Sequence, residues 1–169
     1  PPVLTPIEKR QIIEQLKPFA FQKVYFSHIN YGEFLSTSSN GNNPMAIGKD
    51  FYFDRRFAFL LVCGIANPQP LYTYLKEHVK TVDLLQFPDH HDYTIQDIEK
   101  IHKAYDNIIN ANKIIITTEK DWMRLNKPSL AKAIQDLKFF YIPIEVGFHD
   151  KDGESFNRQV QDYVNSYYT

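Results

Sequence analysis

Phe57-Ala58-Phe59-Leu60-Leu61-Val62-Cys63 is apolar at every position. A strand with one wet face alternates polar and apolar residues. One that does not alternate must be covered on both faces, as in a parallel sheet with helical crossovers. Thr81-Val82-Asp83-Leu84-Leu85-Gln86-Phe87 and Lys113-Ile114-Ile115-Ile116-Thr117-Thr118 read as further strands of the same sheet. Between them, Pro68 to Val79 places Leu71, Tyr74 and Leu75 at helical spacing, and Ile95, Ile98, Ile101, Tyr105 and Ile108 recur likewise. Strands alternating with helices from residue 56 onward select an α/β class, a Rossmann-like, mostly parallel sheet flanked by helices. Polar clusters at the strand exits then share one edge of that sheet.

The remaining segments are read around this frame. Thr5-Pro6, with Ile7, Ile12, Ile13 and Leu16 following, predicts a short capped helix closed by Pro18. Lys23 to Ile29 predicts a strand that pairs with Tyr31 to Leu35, an N-terminal β-hairpin-like linker segment, and Ser36 to Asn43 a polar loop. Gly48-Lys49 superficially resembles a phosphate loop, but G-x-x-x-x-G-K-[ST] would need Gly at Asn43 and Ser or Thr at Asp50. Gly48-Lys49-Asp50 is therefore expected to be a hairpin turn before a strand at Phe51-Tyr52-Phe53. Thr94 predicts a helix cap three residues before Asp97, and Glu119 to Leu125 a short helix. Leu130 to Leu137 predicts a helix, Phe139 to Glu145 a strand, and Ser155 to Tyr168 a closing helix with Phe156, Val160, Tyr163 and Val164 on one side.

A chain of 169 residues, 43% hydrophobic and 23% charged, has the profile of a globular domain. At this length roughly 70% of the unfolded surface is buried, so no disulfide or structural metal is required. The single Cys63 cannot form an internal bridge and favours a reducing compartment. With 19 basic and 20 acidic residues there is no field to draw in nucleic acid. The apolar runs fall far short of the ~20 residues of a membrane-spanning helix, and no export signal opens the chain. Pro1-Pro2-Val3-Leu4-Thr5-Pro6 reads as a linker entering a domain, and a fragment is expected.

The strand exits carry the candidate chemistry. Gly64-Ile65-Ala66-Asn67-Pro68 either lets backbone approach an anion or makes a tight turn. Asp89-His90-His91-Asp92 can bind a metal, relay a proton or orient a carboxylate, and reads equally as a surface turn before the Thr94 cap. Adjacent residues point in different directions, so no more than two of the four are expected at one ligand. Thr117-Thr118-Glu119-Lys120-Asp121 can contact phosphate or sugar, or simply open a solvated helix. Trp122 and Arg124 add stacking capacity, while His28, His78, His102 and His149 lack partners at ligand spacing and are read as structural.

At these separations, Cys63-Gly64-Ile65-Ala66-Asn67-Pro68, Phe87-Pro88-Asp89-His90-His91-Asp92-Tyr93 and Thr117-Thr118-Glu119-Lys120-Asp121 together resemble the C-terminal half of the tetraacyldisaccharide 4'-kinase family. The resemblance spans roughly residues 20 to 165, and Gln22 to Gly32 resembles the version found in Bacteroides-like bacteria. It implies a lobe of a lipid A pathway kinase that moves the ATP γ-phosphate to the 4'-hydroxyl of a tetraacyldisaccharide 1-phosphate. The family keeps its phosphate loop, Mg²⁺ ligands and catalytic Asp in an N-terminal P-loop lobe. Residues 1–20 would then be linker and short helix from that lobe, and 21–169 the C-terminal lobe, inactive alone.

By the same resemblance His90 supports the catalytic Asp of the other lobe, and Asp89 fixes its tautomer or its loop. Gly64, Asn67, His91, Thr118, Glu119, Lys120 and Asp121 line the cleft or contact substrate. ATP and Mg²⁺ would be held mainly by the N-terminal lobe, the lipid A disaccharide precursor would be the substrate, and no metal site is expected here. The location implied is cytoplasmic, peripheral at the inner membrane through the other part of the protein. A metal-dependent phosphoesterase using Asp89, His90, His91 and Asp92, or a non-catalytic lipid- or nucleotide-binding module, are the alternatives.

Overall fold

The computed structural model describes residues 3–37 and 46–167, so most of the loop expected over Ser36 to Asn43, and the Tyr168 end of the closing helix, lie outside the described residues. In chain order the elements begin with α1 (Pro6–Leu16), β1 (Ser27–Tyr31), β2 (Phe34–Ser36), β3 (Ala46–Ile47), α2 (Lys49–Asp54) and β4 (Ala58–Cys63). Next come α3 (Gln69–His78), β5 (Thr81–Gln86), α4 (Ile95–Asn107), β6 (Lys113–Thr118) and α5 (Glu119–Leu125). The chain continues through α6 (Ala131–Ile134), β7 (Phe139–Ile142), β8 (Ile144–Phe148) and α7 (Asp152–Asn165). There are two compact units, Gly32–Pro143 and the described residues on either side of it.

The larger unit is built on a six-stranded sheet in the order β3-β2-β7-β6-β4-β5. β7, β6, β4 and β5 run parallel, and β2 and β3 add an antiparallel edge. β4 is buried at every position, as its unbroken apolar run requires. Leu60, Val62 and Ile115 pack with Ile98, Ile101, Leu125, Leu130 and Phe139 on one face. Phe59 meets the rings of Phe34 and Phe53 on the other. The α/β class and the mostly parallel sheet flanked by helices are as expected.

Four local expectations are corrected. Phe51-Tyr52-Phe53 lies in helix α2, not in a strand after a hairpin turn. Gly48 is its N-cap residue, and the Lys49 N–H is taken by the Glu33 carboxylate at 2.6 Å. The aromatic composition mimics a strand, but Tyr52 is buried against Phe34, Phe57 and Phe140, contacts a helix supplies as well. The predicted pairing of Lys23–Ile29 with Tyr31–Leu35 is not formed, since β1 pairs with β8 and β2 pairs with β3 and β7. The single strand expected over Phe139 to Glu145 is two, separated at Pro143, which has no N–H for a ladder. The helix expected over Leu130 to Leu137 is limited to four residues.

The smaller unit contains the β1–β8 ribbon, α1 and α7. Thr5 and Glu8 form a reciprocal capping box at the start of α1, as the Thr5-Pro6 signal implied. Neither α1 nor α7 contains a buried residue, and Phe156, Val160, Tyr163 and Val164 are all exposed. Among the described residues, no helix is long and apolar enough to cross a membrane.

Candidate functional site

The parallel strands end level with one another. Cys63 is in register with Gln86, and Val62 with Thr117. The loops after β4, β5 and β6 therefore emerge along one edge of the larger unit, where open α/β sheets bind ligands.

Gly64, buried at the exit of β4, ties two of these loops together. Its N–H donates to Asp121 Oδ2 at 3.0 Å, and its carbonyl accepts from the backbone N–H of His90 at 3.2 Å. A Cβ on Gly64 would lie 3.0 Å from the Pro88 carbonyl oxygen and 3.3 Å from Asp121 Oδ1, so glycine is needed for close approach. At the exit of β6, Thr118 caps α5 by accepting from the Asp121 N–H at 3.1 Å, while its hydroxyl donates to Asp121 Oδ2 at 2.7 Å. Asp121 is fully buried. Arg124, one turn along α5, places Nη1 3.8 Å from its Oδ1. Burial, and then the Asp121 charge, push the adjacent Cys63 thiol up to about 12. Burial likewise raises the Tyr93 phenol.

The four ionisable side chains after β5 turn to different partners. Asp89 Oδ1 accepts from the backbone N–H of His90 at 2.9 Å and so braces the loop. His91 faces inward, its Nε2 2.9 Å from Asp97 Oδ2 and its ring stacked on Phe87. Asp92 pairs with Lys127. His90 points outward, its side chain 66% exposed, on a backbone with φ of 59°. A left-handed residue other than glycine costs about 1 kcal/mol, which the two hydrogen bonds to the His90 N–H offset. Among the described residues no three His, Cys, Asp or Glu side chains are grouped as metal donors would be.

The His90 ring is oriented by a residue that sequence reasoning credited only with stacking. Arg124 Nη2 lies 3.0 Å from Nδ1. A guanidinium can only donate, so Nδ1 accepts and, in the neutral ring, Nε2 carries the proton. Asp89 Oδ2 is 3.7 Å from Nε2, beyond hydrogen-bond reach. The available signal for Arg124 is its spacing, since on a helix i and i+3 share a face, and Asp121 and Arg124 are three apart. Lys120 Nζ sits 3.4 Å from Nε2. Thus Gly64, Asp89, His90, Thr118, Lys120 and Asp121 come together. His91 is directed to Asp97, Asn67 accepts from the Gln69 N–H at 3.2 Å at the entrance to α3, and Glu119 is exposed at the start of α5.

An open, mostly parallel sheet with an outward histidine at its C-terminal edge defines an α/β protein of the ligand-binding-edge type. The model of the tetraacyldisaccharide-1-P 4'-kinase family matches residues 12–165, and the chain belongs to that family. It is 34% identical over 166 residues to the tetraacyldisaccharide 4'-kinase of Phocaeicola vulgatus, covering 97% of this chain and 44% of that protein. With the kinase of the same name from Parabacteroides distasonis it shares 39% over 147 residues, 86% of this chain and 38% of the relative. The chain thus spans less than half the length of these curated relatives. The crystal structure of the "apo" form of LpxK from Aquifex aeolicus in complex with ATP aligns at 16% identity and a TM-score of 0.47, over 88% of this chain and 40% of that one. Family membership rests on the sequence matches.

Proposed function

We propose that this chain acts as the C-terminal lobe of a kinase that transfers the ATP γ-phosphate to the 4'-hydroxyl of a tetraacyldisaccharide 1-phosphate, the lipid A disaccharide precursor. The match to the family over residues 12–165 carries this reading. Phosphoryl transfer requires an oriented base for the attacking hydroxyl and neutralisation of developing charge. His90, with its Nε2 proton directed away from Arg124, suits the first task by hydrogen-bonding a catalytic carboxylate supplied by another lobe. Asp89, Gly64, Thr118 and Asp121 are the brace behind it, Asn67, Glu119 and Lys120 belong to the rim of the cleft, and His91, turned inward to Asp97, supports the loop that lines it.

The described residues do not fit the principal site for ATP and Mg²⁺. Gly48-Lys49 is followed by Asp50 where a phosphate loop needs Ser or Thr, and no group of three metal donors is present among the described residues. We therefore place nucleotide and metal on the part of the relatives' length that this chain does not span, with residues 1–20 as the link to it and residues 21–169 as this lobe. Action on a lipid places the whole protein at the cytoplasmic face of the inner membrane.

Two measurements test this. In the full-length kinase, His90→Ala lowers kcat by about a hundredfold with little change in the KM for ATP, and an unchanged kcat removes the role given to His90. The 169-residue chain alone gives no transfer to the disaccharide lipid, and turnover by it would move the chemistry into this lobe.

A further inference from the structure

The backbone of His90 is braced, but that brace does not reach its ring. The His90 N–H is taken by the Gly64 carbonyl at 3.2 Å and by Asp89 Oδ1 at 2.9 Å, which fix the loop. Beyond them the imidazole is 66% exposed and turns about two torsions. Three staggered wells of χ1 and two faces of the ring offer such a side chain about six orientations, of which one presents Nε2 to a given partner. The ring therefore needs a second hold.

Arg124 supplies it. Its Nη1 is buried, has no hydrogen-bond partner among the described residues, and lies 3.8 Å from Asp121 Oδ1, which is buried and equally without one. Opposite charges in that state hold each other, because parting them would strand both away from water. Asp121 is fixed in turn by the Gly64 N–H at 3.0 Å and the Thr118 hydroxyl at 2.7 Å. Anchored at Nη1, the planar guanidinium offers Nη2 to His90 Nδ1 at 3.0 Å. Lys120, the other cation at the ring, is exposed and reaches Nε2 only at 3.4 Å, past the usual range of an N–H hydrogen bond.

We propose that Arg124 is a positioning residue for the kinase reaction: with Nη1 on Asp121 and Nη2 on His90 Nδ1, it selects the ring orientation and the tautomer that present Nε2–H to an acceptor from the other lobe. This role rests on the reading of His90 under the proposed function, whereas the contact itself does not. The task calls for a fork of fixed geometry. A lysine in this place has one nitrogen, which can serve Asp121 or the ring but not both.

The test is a double-mutant cycle in the full-length kinase. Arg124→Leu and Arg124→Lys are each expected to lower kcat by about tenfold, the loss of one orientation among several, with the KM for ATP within about twofold. In the His90→Ala background neither change lowers kcat further, because the side chain that Arg124 positions is gone. A residue that merely supported the fold would cost as much in that background, and one that merely supplied charge would be replaced in full by Lys; either result overturns the proposal. Should Arg124→Leu not fold, Arg124→Lys, which keeps a cation beside Asp121, carries the cycle. In the 169-residue chain the His90 ring ¹⁵N resonances, identified by their loss in His90→Ala, are expected to show one neutral tautomer, protonated at Nε2, and a mixture of the two in Arg124→Lys. The same tautomer population in both proteins overturns the contact. An unchanged kcat in His90→Ala sinks the kinase reading of His90 instead, and the ring resonances then decide the Arg124 contact by themselves.

Discussion

At Gly64 one hydrogen atom in place of a side chain lets three loops meet. A methyl group there would press on the Pro88 carbonyl at 3.0 Å, His91 Cβ at 3.2 Å and Asp121 Oδ1 at 3.3 Å, and two of these are atoms the packing cannot easily move. Gly64→Ala is expected to lower stability by about 1–3 kcal/mol in urea denaturation, and to perturb the His90 ring resonances. An unchanged midpoint would show that the loops yield freely. Next to it, Cys63 is wholly buried and its thiol is pushed up to about 12 by burial and by Asp121, so almost no thiolate forms near neutral pH. It should react with a thiol reagent only after denaturation, and labelling of the native chain at the rate of a free thiol would contradict its placement.

At the scale of elements, α4 shows how a cap becomes part of the site's support. Thr94 and Asp97 form a reciprocal capping box, and Asp97 also receives Lys100 and His91. Burial alone would raise the Asp97 carboxyl, but the hydrogen bonds from Lys100, His91 and Thr94 outweigh it and hold the group well below the usual carboxylate range. A depressed folded-state pKa contributes stability that is complete above the ordinary carboxylate value of about 4 and is lost as pH falls through the folded one. Urea midpoints of the native chain should therefore decline below about pH 4 with a component that Asp97→Asn lacks, so that the two proteins converge in acid. Parallel curves would exclude Asp97 as the source. Thr94→Ala should cost about 1 kcal/mol at neutral pH by the same denaturation assay.

Across the whole molecule, burial is distributed unevenly. β4 is buried throughout and lies between β6 and β5, whereas α1 and α7 have no buried residue. Amide hydrogen exchange should be slowest in β4 and β6 and fastest in α1 and α7, and protection of α7 equal to that of β4 would refute this ordering. Much of the larger unit could be read from the chain because its signals are local. The unbroken apolar run of β4, the Thr94 cap and the glycine after β4 each act within a few residues. The strand-like aromatics of α2 misled, since Tyr52 is satisfied by rings distant in sequence. The partners of β1 and β2 were equally hidden, because pairing with β8 and β7 spans more of the chain than any turn signal reaches. So the sequence by itself determined the α/β class, the three polar strand exits and the family. Only the tertiary structure decided that Asp89, His90, His91 and Asp92 part company, and that Arg124 and Lys120 of α5 both reach the His90 ring. Those outcomes depend on directions of side chains from separate elements, and direction is a property no linear spacing encodes.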